Sequence, residues 1–162
     1  MSENTPSPSS LVANLVPNCR IILVGASGVI GGQLLATAQT QERPAVGTYF
    51  QNARPGMVAF DMTQQPLTAV VPDLGPGDTV VLLSARADPN WVFENPWDSR
   101  EINVVGNIRA ADDARNAGAR VVFVSSEYVF DGVSGGNGED ARPAPTTLYG
   151  QEKGEVEEHL QD

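Results

Sequence analysis

Arg20-Ile-Ile-Leu-Val24 followed by Gly25-Ala-Ser-Gly28-Val-Ile-Gly31 decides the fold. The unbroken apolar run Ile21 to Val24 does not alternate with polar residues, which is expected of a strand buried on both faces at the centre of a parallel sheet. The three glycines have GxxGxxG spacing, and after them Ile30, Leu34 and Ala38 recur at helical spacing through Gln39. Each glycine has a separate task. Gly25 permits the tight turn out of the strand, Gly28 lets the backbone approach a pyrophosphate without an intervening Cβ, and Gly31 lets the helix sit close to the strand. Backbone amides around Ser27, Val29 and Ile30, with the positive end of the helix dipole, would then face the anion. The bland alternative is an ordinary glycine-rich turn.

Working outward, Ala45-Val-Gly-Thr-Tyr-Phe50 returns to strand character and completes a βαβ unit. Met57 to Phe60 gives a short third strand, Thr79 to Ser84 a fourth and Arg120 to Ser125 a fifth. Ile102, Val105, Ile108 and Ala111 mark the apolar stripe of a helix beginning near Asp98, after Pro96. Strands alternating with helices predict an α/β, doubly wound parallel sheet of order 3-2-1-4-5 over residues 19–162. Residues 1–18 read as a flexible Ser/Pro-rich leader without the basic start of a signal peptide, and Leu11 to Val16 is too short for a membrane span. The stretch Gly132 to Gly138 carries four glycines and reads as a mobile loop on the substrate side.

The chain has 162 residues, 41% of them hydrophobic, which suits one core. Twenty acidic against ten basic residues give a net charge of −10, which disfavours nucleic acid and anionic membrane surfaces as partners. The lone Cys19 forms no internal disulfide and has no CxxC or Cys/His companion, so a packed thiol in a cytoplasmic protein is expected. His159 lies among Glu155, Glu157 and Glu158, a solvated charged face rather than a metal site.

Dinucleotide sites that prefer NAD(H) usually place Asp or Glu at the end of the second strand, to accept from the ribose 2′-OH. Gln51 and Asn52 stand there instead, with Arg54 close by, so NADP(H) is favoured over NAD(H). Arg54 also reads as a plain loop charge. Asp61, directly after the third strand and before Met62, is placed either to reach adenine or to cap a turn.

Lys153 is the only lysine, and it falls four residues after Tyr149. On a helix these two share a face, which Val156 and Leu160 continue toward the sheet. An ammonium beside the phenol is expected to lower its pKa toward what acid/base work near neutrality requires. Ser126, at the end of the fifth strand, could hydrogen-bond a substrate carbonyl or could satisfy a local turn.

GASGVIG, the segment INVVGN, VVFVSSEYVFDG and LYGQEK, in this order from Arg20 onward, resemble the extended short-chain dehydrogenase/reductases of the NAD-dependent epimerase/dehydratase superfamily. The dTDP-4-dehydrorhamnose reductase branch is the most similar. The resemblance implies a Rossmann fold and an NAD(P)-dependent oxidoreductase that reduces a 4-keto nucleotide sugar. Tyr149 would protonate the keto oxygen, Ser126 would assist it, Lys153 would hold the nicotinamide ribose, and Asn103 would support the site. Ser126 and Glu127 stand where the family more often has Thr and Asp. Ser84, Ala85 and Arg86 occupy the family's small-residue cofactor loop, and Arg86 departs from it. The resemblance also implies a C-terminal substrate lobe that this chain would lack. The fifth strand is therefore expected to offer an edge for a second copy or another partner. The same glycine turn, YVFDG and YGxxK runs occur in the regulatory subunit of methionine adenosyltransferase, which implies a non-catalytic dinucleotide-binding alternative.

Overall fold

The computed structural model describes residues 19–133 and 135–161; residues 1–18, where a leader is expected, Ser134 of the expected glycine loop and Asp162 lie outside the described residues. Strands β1 (Ile21–Val24), β2 (Ala45–Tyr49), β3 (Val58–Ala59), β4 (Thr79–Leu82) and β5 (Arg120–Phe123) form one sheet in the order β3-β2-β1-β4-β5. Every pairing is parallel, with Ile22 opposite Val46 on one side and Val80 on the other. The anticipated order holds.

β1 is buried along its whole length because alternate side chains serve two cores. Ile22 and Val24 join Phe60, Val80, Leu82, Ala110 and Ala114 on one face, and Ile21 and Leu23 join Ala26 and Leu35 on the other. The second core lies under α1 (Val29–Thr40), whose buried residues are Gly31, Leu35 and Ala38. The anticipated stripe through Ile30 and Leu34 is rotated by about one position. Gly31 brings the helix against the turn, so Ile30 is 60% exposed and Val29 93%.

Between β4 and β5 the chain makes α2 (Pro89–Glu94) and α3 (Pro96–Arg100), continues through a π-helical stretch, Glu101–Gly106, and ends in α4 (Asn107–Asn116). Asp88 caps α2 by accepting from the amides of Asn90 and Trp91, with Pro89 at the first helical position. The widened turn changes the phase of the helix. Its buried face is Asn103, Val104, Gly106, Asn107, Ala110, Ala111 and Ala114, whereas Ile102, Val105 and Ile108 are only partly buried. This corrects the stripe expected from a uniform period.

After β5 a 3-10 turn, Glu127–Val129, leads by a long loop to α5 (Leu148–Gln161). β5 is one edge of the sheet, and Val122 on it is 40% exposed. No helix among the described residues is long and apolar enough to cross a membrane.

Candidate dinucleotide site

The carboxyl ends of β1, β2 and β4 open into a cleft of about 530 Å³. Its wall includes Gly25 and Ser27 from the glycine turn, Gln51 and Asn52 after β2, Asp61 and Met62 after β3, and Ser84, Ala85 and Arg86 after β4. Trp91 completes one side, with the Arg86 guanidinium 4.5 Å above its ring centre.

The turn is built by close approach. Gly25 has φ +92°, and a Cβ there would lie 3.0 Å from the Ser84 nitrogen; its amide reaches Thr48 Oγ1 at 3.3 Å. A Cβ on Gly31 would stand 2.6 Å from the Gly25 carbonyl oxygen and 2.8 Å from Ala26 Cα. Gly28 differs: a Cβ would meet nothing nearer than Gly25 O at 3.4 Å, so this glycine is open on its outer side. Gly28 is also the N-cap of α1 and provides no side chain to close the first-turn amides. Those amides are free to hold an anion.

The other anticipated cofactor residues are placed unequally. Asp61 both borders the cleft and closes a turn, its Oδ1 accepting from the Thr63 amide at 2.9 Å and the Thr63 hydroxyl at 2.7 Å. Arg54 is exposed, and its guanidinium lies against the first turn of α1, 3.3 Å from where a Gly32 Cβ would be. Val29 and Ile30 can offer only backbone, since their side chains point to solvent.

Tyr149, Lys153 and Val156 form the buried face of α5, as the four-residue spacing requires. Tyr149 packs edge-on against Tyr128, with ring centres 5.8 Å apart. Gly150 makes this possible, because any Cβ there would collide with the Tyr128 carbonyl oxygen. Gly150 is the point of contact that seats Tyr149. Lys153 donates to the Val124 carbonyl at 2.9 Å, with its ammonium 4.3 Å from the Phe123 ring centre and 5.8 Å from that of Tyr149.

This geometry corrects the expected titration. Burial pulls the Lys153 ammonium down to about 8, opposed by Glu157. The Tyr149 phenol is raised, first by burial and then by the charges of Glu127 and Glu152. Burial and these negative charges set the phenol's direction, while the Lys153 ammonium, donating to Val124 O, stands 5.8 Å from its ring centre.

Ser126 Oγ donates to Glu127 Oε2 at 3.1 Å and accepts from the Tyr128 amide at 3.3 Å, closing the 3-10 turn beneath Tyr149. Asn103 is wholly buried and grips the Arg86 peptide from both sides, accepting from its N–H at 2.8 Å and donating to its carbonyl at 3.0 Å. It thus supports the cleft wall and does not face the cleft. His159 sits 2.8 Å from Asp112, and among the described residues no group of three acidic, His or Cys side chains could hold a metal.

Comparison with known proteins agrees with the geometry. The family described as "RmlD substrate binding domain" matches residues 19–162. Methionine adenosyltransferase 2 subunit beta from Pongo abelii is 31% identical over 139 residues, covering 85% of this chain and 41% of that protein. A dTDP-4-dehydrorhamnose reductase from Mycobacterium tuberculosis is 30% identical over 129 residues, covering 78% and 37% respectively. Among solved structures, MoeE5 in complex with UDP-glucose and NAD superposes with a TM-score of 0.76 at 25% identity, over 86% of this chain and 47% of that one. The chain spans less than half the length of each.

Proposed function

Starting from the chain's membership of the RmlD substrate binding domain family, we propose that it is the cofactor-binding half of an NAD(P)-dependent reductase acting on a 4-keto nucleotide sugar. One observation carries the reading. The open Gly28 turn and the cleft lie at the carboxyl edge of the sheet, and Lys153 donates to Val124 O just past the carboxyl end of β5, although neither Tyr149 nor Lys153 lines the cleft itself. Open α/β sheets bind ligands at that edge.

The residues present fit a dinucleotide. The bare first turn of α1 would take the pyrophosphate, and Gly25 and Gly31 hold that turn in shape. Gln51 and Asn52 line the cleft where a carboxylate would repel a 2′-phosphate, and with Arg54 over the first turn they favour NADP(H) over NAD(H). When bound, the reduced nicotinamide supplies hydride. Tyr149 holds the proton to be donated to the keto oxygen, and its raised pKa keeps that proton in place until substrate arrives. Lys153, which here donates to Val124 O, would offer its ammonium to the nicotinamide ribose and favour the phenolate that proton donation leaves behind. Ser126, already joined to the turn beneath Tyr149, would donate to the same oxygen.

A second reading, a dinucleotide-binding regulatory subunit, is favoured by the similarity to methionine adenosyltransferase 2 subunit beta and by a Lys153 engaged with Val124 O. Calorimetric titration with NADPH and NADH tests the shared premise, and the expected result is micromolar binding with NADPH at least as tight. Oxidation of NADPH at 340 nm with a 4-keto nucleotide sugar then divides the two. In the reductase, Tyr149→Phe should cost about 100-fold or more in kcat while leaving cofactor affinity within about threefold. Binding without any turnover by a chain that includes its substrate lobe would favour the regulatory subunit.

A further inference from the structure

We infer that Glu152 is a positioning residue of this site: its buried carboxyl group ties the helix bearing Tyr149 and Lys153 to the loop that walls the cleft. The inference rests on the dinucleotide reading above.

Glu152 is 2% exposed. Glutamate is rarely buried so deeply unless paired, and here the partners are neutral. Its Oε2 accepts from the Ser99 hydroxyl at 2.7 Å and from Asn103 Nδ2 at 2.8 Å. Asn103 in turn holds both sides of the Arg86 peptide, and Arg86 with Ser84 and Ala85 lines the cleft. One continuous set of hydrogen bonds therefore runs from α5, through α3 and the π-helical stretch, to the cofactor loop. The widened helical turn is what aims Asn103 into this chain of contacts.

A glutamine oxygen could accept from Ser99 and Asn103 equally well, so what these contacts require at position 152 is a buried acceptor aimed across the helices. The other carboxyl oxygen, Oε1, is buried without a partner. The side chain holds the helix of Tyr149 and Lys153 in register with the cofactor loop.

Two variants test the tie. Glu152→Gln keeps an acceptor for Ser99 and Asn103, and Glu152→Ala removes it, with NADPH affinity read by calorimetry. Glu152→Gln should bind NADPH within about threefold of wild type, and Glu152→Ala should weaken it about tenfold or more. Wild-type affinity in a folded Glu152→Ala overturns the tie, as does a Glu152→Gln that binds no better than Glu152→Ala. If Glu152→Ala does not fold, Asn103→Leu interrogates the same tie by the same affinity measurement, and wild-type binding again overturns it. Absence of dinucleotide binding by wild type would instead refute the proposed function on which the tie rests.

Discussion

The two ends of the parallel sheet are built on opposite principles. At the amino end, polar groups close on one another. Arg20 forks onto Asp78, with Nε to Oδ1 at 3.1 Å and Nη2 to Oδ2 at 2.7 Å, and reaches Asp73 at 2.7 Å through Nη1. Cys19 Sγ rests 3.0 Å from Thr79 Oγ1. At the carboxyl end, α1 starts on an uncapped glycine, a lysine is buried, and Ser125 Oγ, Asn107 Oδ1 and Glu152 Oε1 are buried without partners. Each such orphan costs about 1–3 kcal/mol, a burden expected where a site needs unspent hydrogen-bonding capacity. The amino end invests in stability and the carboxyl end in recognition.

The sharpest way to break this contrast is at Gly31. Gly31→Ala places a Cβ against backbone atoms at 2.6 and 2.8 Å, which no side-chain rotation relieves. A loss of about 4 kcal/mol and of dinucleotide binding is expected, read by chemical denaturation and calorimetry. Wild-type stability would mean that the helix is not held by this approach.

Lys153→Met should act in the opposite direction. The folded-state pKa of Lys153 is about 8, below its unfolded value, so between about 8 and 10.5 the unfolded chain binds the extra proton and stability rises with pH. Below pH 8 both states are charged and the full cost stands, about 3 kcal/mol by linkage. Above about pH 10 the raised Tyr149 pKa works the other way, because the unfolded phenol ionises first and stability falls. Lys153→Met should therefore be more stable at pH 7 and lose the rise between pH 8 and 10, by denaturant midpoints at each pH. A Met variant with the wild-type slope would assign that rise to another group.

What was legible in the sequence was whatever depends on short spacing. The glycine turn, the doubly buried β1 and the shared face of Tyr149 and Lys153 are set by neighbours within one or two turns. The rotation of α1 was not, because it follows from how far Gly31 lets the helix descend onto Ala26. The π-helical stretch was equally hidden, since one widened turn at Glu101–Gly106 shifts the phase of everything after it, and a pattern read at a uniform helical period does not show where that turn falls. α2 did carry a readable signal, Asp88 followed by Pro89. The direction of the phenol's titration is not legible from the Tyr149/Lys153 spacing, because burial and the neighbouring Glu127 belong to the tertiary structure.

At the amino end Arg20→Ala should cost about 1–2 kcal/mol, mostly through Asp78, since Asp73 is largely solvated. Arg20 holds the Asp78 carboxyl below the usual range, so this contribution is present above about pH 4 and is lost as pH falls through the folded value. The variant should show a blunted acid loss and unchanged NADPH affinity. A change in affinity would show that the two ends are coupled.

The smallest expected stability change belongs to Gly28→Ala, and it isolates recognition from folding. Gly28 has φ −73° and ψ 173°, which any residue adopts, and its added Cβ would meet only the Gly25 oxygen at an ordinary 3.4 Å. As an N-cap, alanine is poorer than glycine by less than about 1 kcal/mol, so the thermal midpoint should barely move. The methyl would nevertheless project over the bare first turn of α1, into the space a pyrophosphate needs. NADPH affinity should fall about tenfold, or 1.4 kcal/mol, by calorimetry. A stable Gly28→Ala that binds as wild type would place the anion elsewhere along the cleft, and the carboxyl end would lose its claim to have left that turn open for a ligand.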